Sequence, residues 1–484
     1  MLDAILNFIY SVFTVESVKM LLFYFEIFFV IYLIGYSTFL FASVIVGSNQ
    51  LFEDIKKRQL RNEIRHDYYV PISIIVPAYN EEVTIVETIK SLLKLDYKIY
   101  EIIVVNDGSK DETGELVAKT FGLNQVMRPI RRQLQCKNQV SVFEGVGGAN
   151  NVPITLINKE NGGKADSINM GINASKYPYF VCMDADSILQ RDSLSKIAIP
   201  VLENQNVVAV GSVIRISNDC VFEDGKLVKM RLPKRLTPAF QVLEYERSFL
   251  ASRILLDKFN ANLIISGAFG LFKKEAVINV GGYHVGCVGE DMELIMKLHS
   301  YHRSNDLPYL IKYAYDAVCW TQAPERFRDL LKQRKRWHIG LLQSMTGHVM
   351  LTKLSYIYYL MYELLSPVIE LLGILVTILA YLFGLLNMRY MVIFFLAYAL
   401  FGALLTVISF LARNFVSDVK ISFWDVIKAF LLCIPENILI RFIMAWTRIV
   451  AILFYRGNKT KWGRIKRYKI DYDTEKEKAE SAAS

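Results

Sequence analysis

From Met20 to Val46 the chain is almost wholly apolar, with Glu26 the exception. In hydrocarbon such a run must satisfy its own backbone groups, and a helix does so internally; at 1.5 Å per residue it covers a bilayer core of about 30 Å. A chain carrying it is organised around a membrane. The preceding MLDAILNFIYSVFTVESVK has no basic n-region and no small-residue cleavage site, so the run reads as a resident helix and not as a signal peptide. Lys56, Lys57, Arg58, Arg61 and Arg65 follow it, and the positive-inside rule then puts residue 48 onward in the cytoplasm with the N-terminus outside.

The C-terminal third is also apolar. YIYYLMYELLSPVIELLGILVTILAYLFGLL (356–386) is broken by Pro367, which divides an interface-lying first half from a span. A second span covers 390–411, residues 422–434 are amphipathic, and 436–455 form a further apolar stretch containing Glu436, Arg441 and Arg448. Arg456, Lys459, Lys461, Arg464, Lys466, Arg467 and Lys469 come next. Three crossings after residue 367 would carry this basic tail outside, against the charge rule. Either 422–455 is a tilted or re-entrant hairpin around Pro435, or one span is absent; the tail fixes the side and the span count stays open.

Composition agrees. The 484 residues are 53% hydrophobic with a mean hydropathy of +0.28, which excludes a purely soluble protein. The net charge of +9 is concentrated beside the apolar spans, and no nucleic-acid motif accompanies it. Cysteines at 136, 182, 220, 287, 319 and 433 form no CxxC pair, and the six histidines form no HExxH cluster, so they read as reduced core residues in a cytosol-facing protein.

Between the apolar regions, residues 70–322 read as a soluble α/β domain. VPISIIVPAYN, EIIVVNDGS, VPITLINKENGG and YPYFVCMDADS are strand patterns ending in Asn, Asp, Gly or Ser, and VTIVETIKSLLKL is a helical pattern between the first two. Strand–helix–strand repetition predicts a parallel sheet with ligands at its carboxyl edge. Residues 121–152 are a polar insertion without an assigned role. The organisation is thus a segment 1–19, a helix 20–46, a basic linker 47–69, the domain 70–322, interface helices 323–355, membrane and interface helices 356–455, and a basic tail 456–484.

The chemistry-bearing residues sit at the strand ends. In DADS, Asp184 and Asp186 share a face of an extended chain while Ala185 points away. Two carboxylates so placed suit a hard divalent ion that takes its other ligands from phosphate; the other reading is a turn with capping aspartates. VPAYNEE (76–82) and VVNDGSKDET (104–113) end neighbouring strands, with Asp107 in a turn that suits a base edge or a ribose hydroxyl. KENGGKADSIN (159–169) sets Lys164 after two glycines at a helix start, an arrangement that suits a diphosphate. In GEDMEL (289–294), Glu290 and Asp291 open a helix, either as capping acids or as a carboxylate pair in which one gains proton affinity.

QRKRW (333–337) lies where the soluble domain meets the membrane. On a helix Gln333, Arg336 and Trp337 share a face, while Arg334 and Lys335 turn away. That face offers a guanidinium for pyrophosphate and an indole for a sugar ring; the alternative is headgroup anchoring.

In this order, VPAYNEE, NDGS, NGGKAD, DADS, SGAFG, GEDMEL and QRKRW resemble the membrane-embedded, processive family-2 glycosyltransferases, which include cellulose, hyaluronan and poly-N-acetylglucosamine synthases. The resemblance implies a GT-A-type, Rossmann-like cytoplasmic domain with an α-helical transmembrane region and amphipathic interface helices. It implies that Ala78, Tyr79, Glu81 and Asp107 hold uridine, that Lys164 and Asp184 hold the nucleotide sugar, and that Asp186 ligates Mg²⁺ or Mn²⁺. Ser266, Gly267 and Ala268 of SGAFG would line the acceptor site, with Asp291 as general base beside Glu290. Gln333, Arg336 and Trp337 would grip diphosphate and acceptor sugar, and TKWGRIKR would be a gating segment through Trp462 and Arg464. Asn106 departs from the family pattern, standing where many relatives carry an acid.

The implied reaction is a single inverting displacement in which a UDP-sugar donor extends a growing β-linked polysaccharide. The implied setting is a multi-pass protein of the cell membrane, in contact with the lipid bilayer, whose catalytic domain is cytoplasmic. Glu363, Glu370, Glu436, Asn437, Arg441 and Arg448 then either line an export path or pair with one another. The favoured sugar is glucose, giving a β-glucan. N-acetylglucosamine is the alternative, followed by a non-processive transfer to a polyprenyl phosphate lipid and, last, a nucleotide-sugar sensor.

Overall fold

Strand register brings the motifs together. In the computed structural model, which describes residues 15–63, 69–223, 226–347, 351–415 and 419–455, β1 (Ile72–Ala78) and β2 (Tyr100–Asn106) pair in parallel with Ala78 opposite Asn106. Strand β5 (Val152–Lys159) continues the same edge with Asn158 opposite Asn106, and β6 (Tyr179–Met183) joins the other side of β1. The loops starting at Tyr79, Asp107, Glu160 and Asp184 therefore leave from one carboxyl edge. All seven residues of β2 are buried, as strands covered on both faces require. Ile102 and Val104 pack into one hydrophobic core while Ile103 and Val105 pack into another across the sheet.

The sheet is mixed, which corrects the parallel expectation. Its ten strands run, in order, β3 (Asn124–Val126), β4 (Gln139–Gly147), β5, β2, β1, β6, β11 (Phe269–Lys273), β8 (Val207–Ile216), β12 (Leu310–Thr321) and β7 (Ile188–Leu189). Strands β9 (Val221–Glu223) and β10 (Lys226–Lys229) form a separate antiparallel ribbon. Strand β11 lies antiparallel between β6 and β8, and β12 runs parallel to β8. The reason is local: Ser266–Ala268 sit at the carboxyl edge of β6, so a strand that begins there must run back against β6, with Phe269 opposite Met183.

The 121–152 insertion has a structural task. It supplies β3 (Asn124–Val126) and β4 (Gln139–Gly147), which extend the sheet antiparallel from β5. Its connecting loop buries Leu134 and donates the Lys137 N–H to Asp166 in helix α2 (Lys164–Ala174). Asn173 of α2 in turn accepts from the N–H groups of Gln133 and Leu134. The insertion thus braces the helix that carries Lys164.

Helix α1 (Val15–Glu63) contains the first apolar run. Further on come α3 (Leu236–Arg247), α4 (Glu290–Ser304), α5 (Phe327–Gly347), α6 (Ser366–Leu382), α7 (Met388–Ala412), α8 (Phe423–Pro435) and α9 (Arg441–Leu453). Among the described residues two helices are long and apolar enough to cross a membrane, Val15–Glu53 and Met388–Ala412. A third arises if Lys353–Leu364 and Ser366–Leu382, bent by 54° at their junction, count as one; Pro367 begins α6 there. The apolar stretch 436–455 is not a separate helix but continues the one that begins at Phe423. Helix α8, a π-turn at Glu436–Ile440 and the short α9 follow one another. Lys428 Nζ of α8 donates to Pro233 O of the α/β domain, and Tyr455 just after α9 accepts from Gln343 of α5, so the two ends of this run touch the domain and the helix that follows it.

Candidate active site

A single cavity of about 1930 Å³ connects these elements. Ala78, Tyr79, Glu81, Asp107, Lys164, Asp184, Asp186, Ser266, Gly267, Ala268, Glu290, Asp291, Gln333, Arg336 and Trp337 all line it. Beyond Trp337 it continues among the apolar helices to Glu363, Glu370, Glu436, Asn437, Arg441 and Arg448. Trp462 and Arg464 lie outside the described residues.

Strand β6 ends at Met183, so Asp184 and Asp186 occupy a turn instead of an extended strand. Both still reach the cavity, while Ala185 is buried and its carbonyl accepts from Thr88 Oγ1. Lys164 Nζ lies 2.5 Å from Asp184 Oδ1 and 3.8 Å from Glu290 Oε1. Burial works against the ammonium, but the charges of Asp184, Glu290 and Asp291 outweigh it and hold its pKa above the usual lysine value. The lysine reaches this position because Gly163, with φ of 92°, makes the left-handed turn into α2 that other side chains resist.

Asp107 anchors that turn. Its Oδ1 accepts from Lys159 Nζ at 2.5 Å and Gly162 N at 2.9 Å, and its Oδ2 from Gly163 N at 2.8 Å and Asn161 Nδ2 at 3.2 Å. Four donors fill the usual acceptor capacity of a carboxylate. In this arrangement Asp107 braces the NGG loop, a role its place in a Gly-Ser turn did not reveal. Asn106 donates to Asn158 Oδ1 at 2.8 Å and accepts from Ser109 N at 3.2 Å, a structural pairing.

Asp291 opens α4 with Oδ2 receiving the Gly267 N–H at 3.1 Å, which aims it across the SGA turn towards Lys164. A methyl on Gly267 would come within 3.0 Å of Lys164 Nζ and 3.6 Å of Asp291 Oδ2, so the backbone there runs between the two charges. Burial, reinforced by the neighbouring Asp291 charge and opposed by Lys164, pushes the Glu290 carboxyl up to about 7. Asp291 Oδ1 also accepts from its neighbour Met292 N at 2.9 Å, and a carboxylate oriented by two N–H groups beside a second, proton-retaining carboxyl can accept a proton from a hydroxyl brought to it.

On α5, Gln333, Arg336 and Trp337 share the cavity face as their spacing predicts. Arg334 does not turn away. It is buried, its Nη2 donates to Glu244 Oε2 at 2.6 Å, and its guanidinium lies 4.3 Å from the centre of the Trp337 ring. The correction is physical: a planar cation finds a carboxylate and an indole on that side, both better partners than solvent on a crowded helix. Among the membrane-region charges, Arg247 pairs with Glu436 and Arg441 with Glu370 at 2.6 Å, so pairing and cavity lining coexist. Glu244, Tyr245 and His338 also line the cavity and were not evident from the sequence, where LEYER reads as an ordinary charged helix turn.

Residues 70–340 match the family described as glycosyltransferase like family 2. The chain is 30% identical over 344 residues to a poly-beta-1,6-N-acetyl-D-glucosamine synthase of Staphylococcus epidermidis, covering 70% of this chain and 72% of that one. It is 31% identical over 339 residues to the synthase of the same description from Staphylococcus aureus strain COL, covering 69% and 71%. The chain belongs to glycosyltransferase family 2. A solved mannosyltransferase from Pyrobaculum calidifontis, in complex with GDP-Man and Mn²⁺, aligns over 88% of this chain and 100% of that one at 19% identity and a TM-score of 0.45. As a family-2 glycosyltransferase the chain has a GT-A fold, and the cavity opens at the carboxyl edge of β1, β2, β5 and β6. The descriptions of these relatives name N-acetylglucosamine and not glucose.

Proposed function

We propose that this glycosyltransferase is a processive synthase that polymerises N-acetylglucosamine from UDP-GlcNAc, with inversion, into a β-linked chain that it passes into the membrane. The observation carrying this reading is the continuity of the cavity from Asp107 and Asp186, past Asp291 and Trp337, to Glu370 and Arg441. A transferase adding one sugar needs no polar passage among apolar helices; a polymer leaving its site does. The descriptions of the Staphylococcus relatives support the sugar and a β-1,6 linkage.

In the proposed reaction Asp291 takes the proton of the acceptor hydroxyl. The oxygen attacks the anomeric carbon from the face opposite UDP, so an α-linked donor gives a β-linked product. Lys164 and Arg336 balance charge on the departing diphosphate, and Trp337 stacks on the acceptor sugar. Among the described residues no cluster of three or more His, Cys, Asp or Glu side chains gathers around one point. The two carboxylates of DADS instead fit a hard cation that takes further oxygens from the donor, so Asp184 and Asp186 would hold Mg²⁺ or Mn²⁺. That ion would supply neutralisation of the diphosphate charge.

We place the catalytic domain in the cytoplasm of a multi-pass membrane protein. Support comes from the basic residues after α1 and from the contacts of Lys428 with Pro233 and of Tyr455 with Gln343, which suit a run Phe423–Leu453 lying along one side of the membrane, the side the charge rule assigns to the basic residues after 455. Gln343 bonds both Tyr455, where the tail starts, and Val288 N beside the catalytic acids, a suitable origin for a gating segment with Trp462 and Arg464.

The test is incubation of the purified protein with Mn²⁺ and each radiolabelled UDP-sugar, followed by gel filtration and digestion with a β-1,6-N-acetylglucosaminidase. A high-molecular-weight, enzyme-sensitive product from UDP-GlcNAc is expected. Incorporation of glucose alone would overturn the sugar, and a single residue on a lipid would overturn the polymer.

A further inference from the structure

We propose that Glu244-Tyr245-Glu246-Arg247, the last turn of α3, is a positioning element that holds Trp337 in place and ties it to the membrane helices. The inference rests on the polymer reading above and names the residues that would maintain the grip between successive additions. Consecutive side chains on an α-helix are turned by about 100° from one another, so four in a row face four directions. Here each direction meets a different part of the protein.

Glu244 Oε2 accepts from Arg334 of α5 at 2.6 Å. The Tyr245 ring lies 6.4 Å from that of Trp337, centroid to centroid. Glu246 Oε1 is 3.0 Å from Arg413, directly after α7, and 3.9 Å from Arg215 of β8. Arg247 donates to both Glu436 oxygens at 3.2 and 3.1 Å and to Thr406 Oγ1 of α7 at 2.9 Å. A π-turn, Ser248–Ser252, follows, and α1 crosses it so tightly that a methyl on Gly47 would come within 2.5 Å of Leu250 O. The turn therefore touches α5 and the C-terminal membrane helices, and the π-turn after it touches α1.

The indole is supported by Arg334 at 4.3 Å and by Tyr245, while 39% of Trp337 stays exposed in the cavity to meet a sugar. Arg334 is itself buried, and a buried cation keeps its place only while its partners satisfy it. Remove the Glu244 carboxylate and the guanidinium is drawn towards water and off the ring. Glu244 acts through Arg334, which makes it a positioning residue for Trp337.

The number of sugars added per binding event is the ratio of the transfer rate to the release rate, so a weaker grip shortens the product in proportion. In full-length protein making polymer from UDP-GlcNAc, Glu244→Gln is expected to cut mean product length by about two- to thirty-fold, the span of a desolvated cation–π contact. Glu244→Asp, which keeps the charge, restores most of the length. In a Trp337→Leu background Glu244→Gln shortens the product no further. A monodisperse Glu244→Gln protein with wild-type product length overturns the inference, as does equal shortening with and without Trp337. If Glu244→Gln is not monodisperse, Tyr245→Leu, which removes only the second support of the ring, is held to the same criteria. Should wild-type protein add a single sugar, the polymer reading fails and this inference with it; a polymerising wild type matched by Glu244→Gln sinks the inference alone.

Discussion

Gly289 and Gly340 touch through their backbones: a methyl on either would lie 2.9 Å from the Cα of the other. The contact sets α4, which begins with Glu290 and Asp291, against α5, which carries Trp337 three residues before Gly340 and Arg336 and Gln333 in the same stretch. The proposed general base and the helix proposed to bind the acceptor are in register because neither position has a side chain. Gly340→Ala must force the helices apart, at an overpacking cost of about 1–3 kcal/mol. Moving Trp337 relative to Asp291 should lower UDP release by roughly 10²-fold, the usual effect of a displacement of about 1 Å. Gly347→Ala on the same helix faces open space and should change neither melting temperature nor rate. Equal behaviour of the two variants would show that the crossing does not set the site.

The Glu290 carboxyl, raised to about 7 by burial and by Asp291, gives the enzyme a pH signature. As pH falls through about 7 it takes up a proton, weakening its hold on Lys164 and removing negative charge beside Asp291, so UDP release should decline. Glu290→Gln should flatten that limb of the profile. Stability runs the other way. The folded protein holds this proton above the unfolded carboxyl value, so the favourable contribution is complete at low pH and is lost as pH rises through about 7. Thermal melting measured from pH 6 to 8 should fall more steeply for wild type than for Glu290→Gln.

The two carboxylates of DADS make the divalent ion the next measurable dependence. Chelation with EDTA should abolish UDP release, and Mg²⁺ or Mn²⁺ should restore it. Asp186→Asn should need a far higher metal concentration for the same rate, at least about ten-fold, since each 1.4 kcal/mol of lost ligation is a factor of ten. Full activity in EDTA would remove the metal from the mechanism.

The cleft was legible because strand ends announce themselves. VPAYNEE, NDGS, NKENGG and DADS each close an apolar run, and parallel register then delivers their loops to one edge without further information. What the sequence hid were directions set by tertiary partners. Helical spacing placed Gln333, Arg336 and Trp337 correctly but sent Arg334 outward, because Glu244 lies ninety residues away and spacing knows nothing of it. The same holds for Asp107, whose four donors come from 159–163, and for the 121–152 insertion, whose polar surface concealed two edge strands and a brace on α2. Alternation of apolar runs likewise could not reveal that β11 runs backwards.

Within the apolar helices, Arg441 donates to Glu370 through two nitrogens, at 2.6 and 3.0 Å, and to Tyr398 Oη at 3.2 Å. The pair joins α9 to α6 across the far part of the cavity. Breaking one side leaves a poorly solvated charge, so Glu370→Gln and Arg441→Met should each lose about 3–5 kcal/mol of stability. Replacing both removes the stranded charge, and the double variant should recover much of the loss in melting temperature. Its polymer output separates structure from transport. If the charges only lock α9 to α6, the stable double variant should make product of wild-type length. If the passage needs polar lining at this depth, the product should shorten although the fold is restored. Additive destabilisation in the double variant would mean that Glu370 and Arg441 do not act as a pair.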